Sequence, residues 1–297
     1  MRIRDGVPEG ARFELYWFSG TGNTLIAASE LRDRLRASGR EVAMRPMERS
    51  DPGRVDLGAV LGFVVSVAGQ GTHPLVWEFL ESLPEAAGTA CFLVDTLGIY
   101  SGGILGPVRK ILRRKGYRTL AAREILMPNN FMRKKSDPDK DVALVERGRA
   151  SARDFGDRLL SGSGRWRDIP LYSELLAAAF RSRKAVARWK RMLPLAVDPE
   201  RCTACGTCVR ICPERALSLE PGAAVPVRGE RCSLCHRCVA FCPAGAIGIA
   251  GGRYLAYRAL GLGQLLRCLS EGAEVETLAA VETTAGPAAP DDAMRGR

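Results

Sequence analysis

Eight of the ten cysteines in this 297-residue chain lie in two short stretches of its last third. Residues 202–213 read CTACGTCVRICP and residues 232–243 read CSLCHRCVAFCP, so the spacing C-x2-C-x2-C-x3-C-P occurs twice. In this spacing three thiolates on one tight loop grip an iron–sulfur cube, and the fourth cysteine, followed by proline, ligates the other cube. The repeat therefore predicts two [4Fe–4S] clusters.

This crossing divides the cysteines into two sets of four. We expect one cluster to be held by a first quartet, which consists of Cys202, Cys205, Cys208 and Cys242. The other cluster is expected to be held by a second quartet, which consists of Cys232, Cys235, Cys238 and Cys212. Structural zinc is an alternative, but zinc usually takes separated C-x2-C pairs and has no use for the crossed Cys-Pro. The other two cysteines, Cys91 and Cys268, are interpreted as packing residues.

The segment that carries both motifs, residues 197–250, closely resembles bacterial-type ferredoxins with two [4Fe–4S] clusters. The resemblance covers both cysteine motifs and the internal repeat. It implies a small α+β ferredoxin domain at this place in the chain.

The residues before the cysteines alternate between two patterns. Strands are predicted over 13–18, 41–47, 59–67, 89–96 and 119–131, and helices over 25–39, 75–83, 104–116 and 139–160. Such alternation predicts a parallel sheet with helices on both faces and a ligand site at the carboxyl ends of the strands.

The loop SGTGNT, residues 19–24, joins the first predicted strand to the first helix. It offers backbone N–H groups, hydroxyls and a helix N-terminus to an anion, most often a phosphate. It has neither the G-K-[ST] of a P-loop nor the G-x-G-x-x-G of a dinucleotide turn. The alternative interpretation is an ordinary strand–helix turn.

This loop resembles the flavodoxin loop that holds the phosphate of FMN. The resemblance implies FMN as a cofactor, with the isoalloxazine flanked by the loops after the third and fourth strands. The loop after the third strand lacks the aromatic residue that often stacks on the flavin. The implied FMN-binding residues are Ser19, Gly20, Thr21, Gly22, Asn23, Thr24, Ser66, Val67, Ala68, Gly69, Thr96, Gly98, Tyr100, Gly102 and Gly103.

The stretch MPNNF, residues 127–131, together with domain order and length, resembles fused flavodoxin–ferredoxin proteins of the ferrodoxin type over residues 13–250. We expect a doubly wound, flavodoxin-like α/β domain with a five-stranded parallel sheet, followed by the ferredoxin domain. The expected divisions are a leader at 1–12, the flavodoxin-like domain at 13–162, a basic helical linker at 163–196, the ferredoxin domain at 197–250 and a partly disordered extension at 251–297.

The net charge and the absence of targeting signals indicate the class of partner and the compartment. The formal net charge of +11 falls to about +5 when two clusters and the FMN phosphate, at about −2 each, are included. A basic protein favours a redox partner with an acidic docking face, and no nucleic-acid-binding motif accompanies the charge. Without an export signal or a long apolar run, we expect a cytoplasmic protein with no transmembrane segment.

The combination predicts an electron-transfer protein that relays electrons between FMN and the clusters to a redox partner, with no catalytic side chain. The alternative is an FMN-dependent reductase fed by its own clusters, for which His73 could donate a proton. His236, between two cluster cysteines, is expected to tune its surroundings. A redox sensor is a third hypothesis, which no sequence feature demands.

Overall fold

The computed structural model describes most of the chain. The described residues are 6–99, 103–131, 133–166, 184, 187–188, 191, 194–219, 227–228, 231–249 and 254–270. Two of the expected FMN-binding residues, Tyr100 and Gly102, lie outside them. So do most of the predicted linker helix and the predicted disordered tail after residue 270.

Five parallel strands form the centre of the N-terminal part. They are β1 (Phe13–Trp17), β2 (Val42–Pro46), β3 (Val60–Ala68), β5 (Ala90–Leu97) and β6 (Arg118–Leu126). Their order across the sheet is β2-β1-β3-β5-β6, which is the flavodoxin-like order of a doubly wound fold. The central strands read as continuous apolar runs because helices cover both faces of the sheet. The predicted fold class is confirmed.

The sheet differs from the prediction in two places. A two-residue strand, β4 (Gly71–Thr72), folds back on the end of β3, so the sheet has six strands rather than five. Gly69 makes this turn possible because it adopts a φ of 63°, which glycine reaches without steric cost. The last strand ends at Leu126 rather than at residue 131, and Pro128 beyond it has no N–H to donate to a strand ladder.

Four helices cover the sheet. Helices α1 (Asn23–Ala37) and α4 (Pro138–Leu160) pack together on one face, and α2 (Pro74–Glu81) and α3 (Leu105–Arg114) lie on the other. The start of α4 is fixed by Asp137, whose carboxylate accepts a hydrogen bond from the Lys140 N–H. Each face of the sheet therefore has its own apolar core.

The C-terminal part contains two short antiparallel pairings and two short helices among its described residues. Leu195–Val197 pairs with Ile247–Ile249, and Leu217–Ser218 pairs with Val227–Arg228. The helices are α5 (Thr207–Arg210) and α6 (Arg237–Ala240), and each contains the third cysteine of one motif. The pseudo-repeat of the sequence is thus a structural repeat, and this part is a small α+β unit.

A final helix, α7 (Leu262–Leu269), packs against the flavodoxin-like core. Leu265 is fully buried, and Arg49 donates a hydrogen bond to the Leu269 carbonyl oxygen at 2.6 Å. This helix lies in the extension at 251–297, which was expected to be partly disordered and in which Cys268 was interpreted as a packing residue. In the part of the chain that the structure describes, no helix combines the length and the apolar character needed to cross a bilayer.

Candidate functional site

The four cysteines of the first quartet line one small cavity. Its wall is completed by apolar side chains, among them Val209, Leu219 and Ile247. The four cysteines of the second quartet likewise line a cavity of their own, beside Leu195 and Leu217. The structure therefore brings together the same two crossed sets that the sequence predicts, and their role as cluster ligands stays a prediction.

The backbone of each cysteine loop turns through left-handed conformations. In the first loop Ala204 and Gly206 have φ values of 51° and 69°, and in the second loop Leu234 and His236 have 54° and 61°. A non-glycine residue in this region costs on the order of 1–3 kcal/mol and persists where surrounding structure imposes it. These turns gather three thiols of each motif on one side of its loop.

The fourth cysteine of each motif receives a backbone hydrogen bond. The N–H of Ala216 donates to the Cys212 sulfur at 3.2 Å, and the N–H of Ala246 donates to the Cys242 sulfur at 3.3 Å. Such bonds stabilise thiolate charge and are among the groups that tune a cluster. Among the described residues no group of three Cys, His, Asp or Glu side chains could hold a single metal ion, and four thiols around a cavity suit a cube better than one ion.

The two quartets differ in their exposure to solvent. Thr203, Ala204 and Cys205 in the first loop are exposed, whereas Ser233 and Cys238 in the second loop are buried. Hydrogen bonds with Thr207 lower the pKa of the Cys205 thiol, while burial raises the pKa of the Cys235 thiol to about 12. The first quartet is thus more exposed to solvent than the second.

The second loop is less exposed to solvent because it packs against the flavodoxin-like part. Arg237 is the centre of this contact: its Nε and Nη2 donate to the Ser19 carbonyl oxygen at 3.2 and 2.7 Å, and its Nη1 donates to Glu48 at 2.6 Å. The Arg237 and Glu48 side chains are only 1% and 4% exposed. Arg237 also lies over the Phe18 ring, 5.5 Å from its centroid.

Two buried histidines adjoin the same contact. His73 Nδ1 lies 3.3 Å from the Ser233 carbonyl oxygen, and His236 packs its ring against Phe131. Burial lowers the pKa of each histidine to about 4. Both are therefore neutral near pH 7, and His73 faces protein rather than an open pocket.

The loop at residues 19–24, hereafter the phosphate loop, lies at the carboxyl end of β1 as predicted. Its polar side chains are already paired within the chain. Ser19 Oγ accepts from the Gly22 N–H, Thr24 Oγ1 lies 2.7 Å from Thr96 Oγ1, and Asn23 donates to the Pro128 carbonyl oxygen. The structure thus places Thr96, another expected FMN-binding residue, beside the phosphate loop.

Two other parts of the chain cover the phosphate loop. A Cβ atom on Gly20 would overlap the Cys235 carbonyl oxygen, and one on Gly22 would lie 2.9 Å from the Leu260 side chain. The Ala259 N–H also donates to the Thr21 carbonyl oxygen at 2.8 Å. These contacts lie against two glycines and one carbonyl oxygen of the loop.

The remaining expected FMN-binding residues are partly placed. Ser66 lies at the end of β3, where its hydroxyl is buried and has no hydrogen-bonding partner among the described residues. Val67 and Ala68 pair with β4, Gly69 forms the turn, Gly98 approaches Asn129, and Gly103 is buried before α3. The orphaned Ser66 hydroxyl suits a ligand, and the role of these residues in binding FMN stays a prediction.

Sequence reasoning missed the contacts that hold the two parts together. Arg237, Glu48 and Tyr257, whose hydroxyl donates to Asn23 at 2.9 Å, were not singled out. One signal was present: the second motif has Arg237 where the first has Thr207, so the two copies differ most where the second meets another domain. Glu48 and Tyr257 have no such signal. Cys91 and Cys268 are both buried, as expected of packing residues.

Comparisons with known proteins agree with this division. Two family models described as "4Fe-4S binding domain" match residues 195–218 and 229–245. No curated protein matches the chain.

Among solved structures, the N-terminal half is similar to flavodoxins. One from the domain Archaea has 14% identity and a TM-score of 0.37, covering 50% of this chain and 98% of its own. A flavodoxin of Streptococcus pneumonia has 16% identity and a TM-score of 0.40, covering 51% and 99%. The flavodiiron protein of Giardia intestinalis has 18% identity and a TM-score of 0.35, covering 51% and 36%.

The cysteine motifs, the family models and the order of the sheet lead to one organisation. The motifs support two iron–sulfur clusters, and the order of the sheet shows a flavodoxin-like fold. The chain therefore combines a sheet of flavodoxin-like order with two later segments that match models of 4Fe-4S binding domains.

Proposed function

We propose that this chain relays single electrons between an external redox partner and its own flavodoxin-like domain, through the two clusters in series. One observation carries the proposal: the second cysteine loop is buried against the flavodoxin-like domain while the first is exposed. Each cluster takes one electron, so two clusters in one small domain form a path with an inner and an outer end.

The outer end is the cluster of the first quartet. Its loop presents Thr203, Ala204 and Cys205 to solvent, so a partner can approach this cluster without displacing protein. The inner end is the cluster of the second quartet. Its loop contacts Ser19 and Phe18 through Arg237, directly at the carboxyl end of β1. Electrons entering from a partner pass from the first quartet's cluster to the second and then to the flavodoxin-like domain, or in reverse.

The partner is a redox protein with an acidic docking face. Arg201 and Arg210 border the exposed first loop, and Arg210 is exposed. Positive charge at this place attracts an acidic surface and raises the rate of encounter. We also place the chain in the cytoplasm, because all ten cysteines are free and a reducing compartment keeps thiols available for clusters. FMN, when bound, supplies one- and two-electron chemistry.

The reductase alternative is less well supported. Reduction of a small substrate at a flavin needs a proton donor close by, and His73 was the candidate. His73 is buried, contacts the Ser233 carbonyl oxygen and has its pKa lowered to about 4 by burial. A neutral histidine that faces protein is poorly suited to that role.

The test is an anaerobic cofactor analysis followed by kinetics. We expect about eight irons and eight sulfides per chain. Photoreduction should then yield paramagnetic signals from two interacting clusters. Zinc in place of iron would overturn the proposal. So would a chain whose clusters are reduced and reoxidised equally fast after the first loop is covered by a bulky Thr203→Trp substitution, with Ser218→Trp as the exposed control.

A further inference from the structure

The phosphate loop and the second cysteine loop meet in a contact that neither motif explains. We propose that docking of the ferredoxin-type domain in this position and binding of the FMN phosphate compete for the phosphate loop, so that FMN enters when the Arg237 contact opens and the inner end of the relay then faces the flavin site across the opened contact. The proposal rests on the proposed function in taking FMN as the ligand. It goes beyond it by assigning Arg237 and Glu48 as a latch.

The first argument is space. The Cys235 carbonyl oxygen lies against the Cα of Gly20, where any Cβ would overlap it. Leu260 lies against Gly22 on the same loop. Glycines in such a loop allow a phosphate close to the backbone, and here the chain itself takes that close approach. The two occupants cannot share the loop.

The second argument is that polar groups of the closed loop already have hydrogen-bonding partners within the chain. The Thr21 hydroxyl accepts a hydrogen bond from Asn130 at 2.7 Å, and the Thr21 carbonyl oxygen accepts one from Ala259. Arg237 supplies two donors to the Ser19 carbonyl oxygen. A buried loop whose polar groups all lacked partners would be costly. In this loop the Thr21 hydroxyl and the carbonyl oxygens of Ser19 and Thr21 have partners without any ligand.

The third argument is that the ion pair of the latch is incompletely stabilised. Arg237 and Glu48 form a buried ion pair across the contact. Yet Glu48 Oε2 is buried without a hydrogen-bonding partner in the described part of the chain. A buried ion pair whose remaining lone pairs are unsatisfied offsets its desolvation incompletely. The contact therefore specifies one docked position without holding it irreversibly.

These features set a clear expectation for affinity. If FMN binds only the open form, its apparent dissociation constant is the intrinsic one divided by the open fraction. Variants that weaken the latch raise that fraction, so they should bind FMN more tightly, although they remove interactions rather than add them. Riboflavin lacks the phosphate, so its affinity should depend much less on the latch.

The experiment is an anaerobic titration of the cluster-loaded full chain with FMN and with riboflavin, followed by flavin fluorescence. Arg237→Ala opens the latch from the ferredoxin side. Glu48→Gln opens it from the flavodoxin side without changing a residue of either cysteine motif. Arg215→Ala, an exposed arginine of the ferredoxin-type domain, is the matched control. We expect FMN to bind about tenfold more tightly to both latch variants, with riboflavin and the control unchanged.

Three results would overturn the proposal: tight FMN binding by the wild type with no gain in either variant, weaker binding by Glu48→Gln, or no FMN binding by any variant. Iron and sulfide analysis of the same samples separates this outcome from failure of the proposed function. A chain with eight irons and no latch effect keeps the electron-transfer function and loses the exclusion. A chain without iron loses the function whatever the flavin does.

Discussion

Cys212 and Cys242 are the residues that cross between the two motifs. Each ends its own motif in sequence, yet each lines the cavity formed by the first three cysteines of the other motif. Each also accepts an N–H from the residue four positions later. This pairing could be predicted from spacing alone, because the C-x2-C-x2-C-x3-C-P pattern constrains both loops.

The crossing predicts that a substitution of the fourth cysteine in one motif removes the cluster held mainly by the other motif. Cys242→Ser lies in the second motif but should disturb the outer cluster, lowering iron from about eight to about four per chain. Anaerobic iron analysis and paramagnetic resonance of the remaining cluster check this. Cys268→Ser, a buried cysteine outside both quartets, should keep all eight irons. Loss of the inner cluster instead would contradict the crossed assignment.

His73 predicts a dependence of stability on pH. Burial lowers its pKa to about 4 in the folded chain, whereas the unfolded value is about 6.5. The unfolded chain therefore takes up a proton that the folded chain refuses, and stability falls as pH drops from about 6.5 towards 4. The contribution of His73 to this loss should approach about 1 kcal/mol between pH 6.5 and 5.5, beside a similar contribution from His236, whose pKa burial also lowers to about 4.

Urea denaturation of the full chain at these two pH values measures the loss. His73→Gln has no group that titrates here, so its stability should fall less over the same interval. If the variant lost as much stability as the wild type, another group would be responsible for the pH dependence.

At the scale of elements, the sequence predicted what depends on local pattern. Strands β1, β3 and β5 were found within two residues of their observed ends because burial on both faces makes them continuously apolar. The hairpin at Gly69 was missed because two residues of strand carry no periodicity. The cover formed by Ala259 and Leu260 was missed because it joins residues more than 200 positions apart through a backbone hydrogen bond and a side-chain contact, which no window of sequence contains.

Strand β3 provides an element-scale prediction. A Cβ on Gly62 would overlap the Phe92 ring and lie 2.6 Å from the Leu15 side chain. Gly62→Ala should therefore overpack the sheet and reduce stability by about 1–3 kcal/mol, as a lower urea midpoint. Gly263→Ala in α7 meets nothing closer than 3.8 Å and is the control, since alanine suits a helix better than glycine. A neutral Gly62→Ala would show that the core yields more easily than its packing indicates.

At the scale of the whole molecule, the chain has one inner and one outer redox end. Charge reversal at Arg210 should slow reoxidation of the reduced clusters by an anionic cobalt complex and leave a neutral oxidant unaffected, because only the charged probe is steered. Stopped-flow measurement at low ionic strength checks this. Arg54→Glu, at an exposed position outside the ferredoxin-type domain, is the control. An equal effect of both substitutions would indicate net charge rather than a docking place.

The difference in exposure between the two cysteine loops also bears on how the protein ages in air. Dioxygen and chelators reach the loop at Thr203–Cys205 directly, while the second loop is shielded by the contact of Arg237 with Ser19. Exposure to air should bleach the sample in two stages, with the outer cluster lost first. A half-bleached chain would keep its inner cluster beside the flavodoxin-like domain. It would no longer have the outer cluster through which it exchanges electrons with a redox partner.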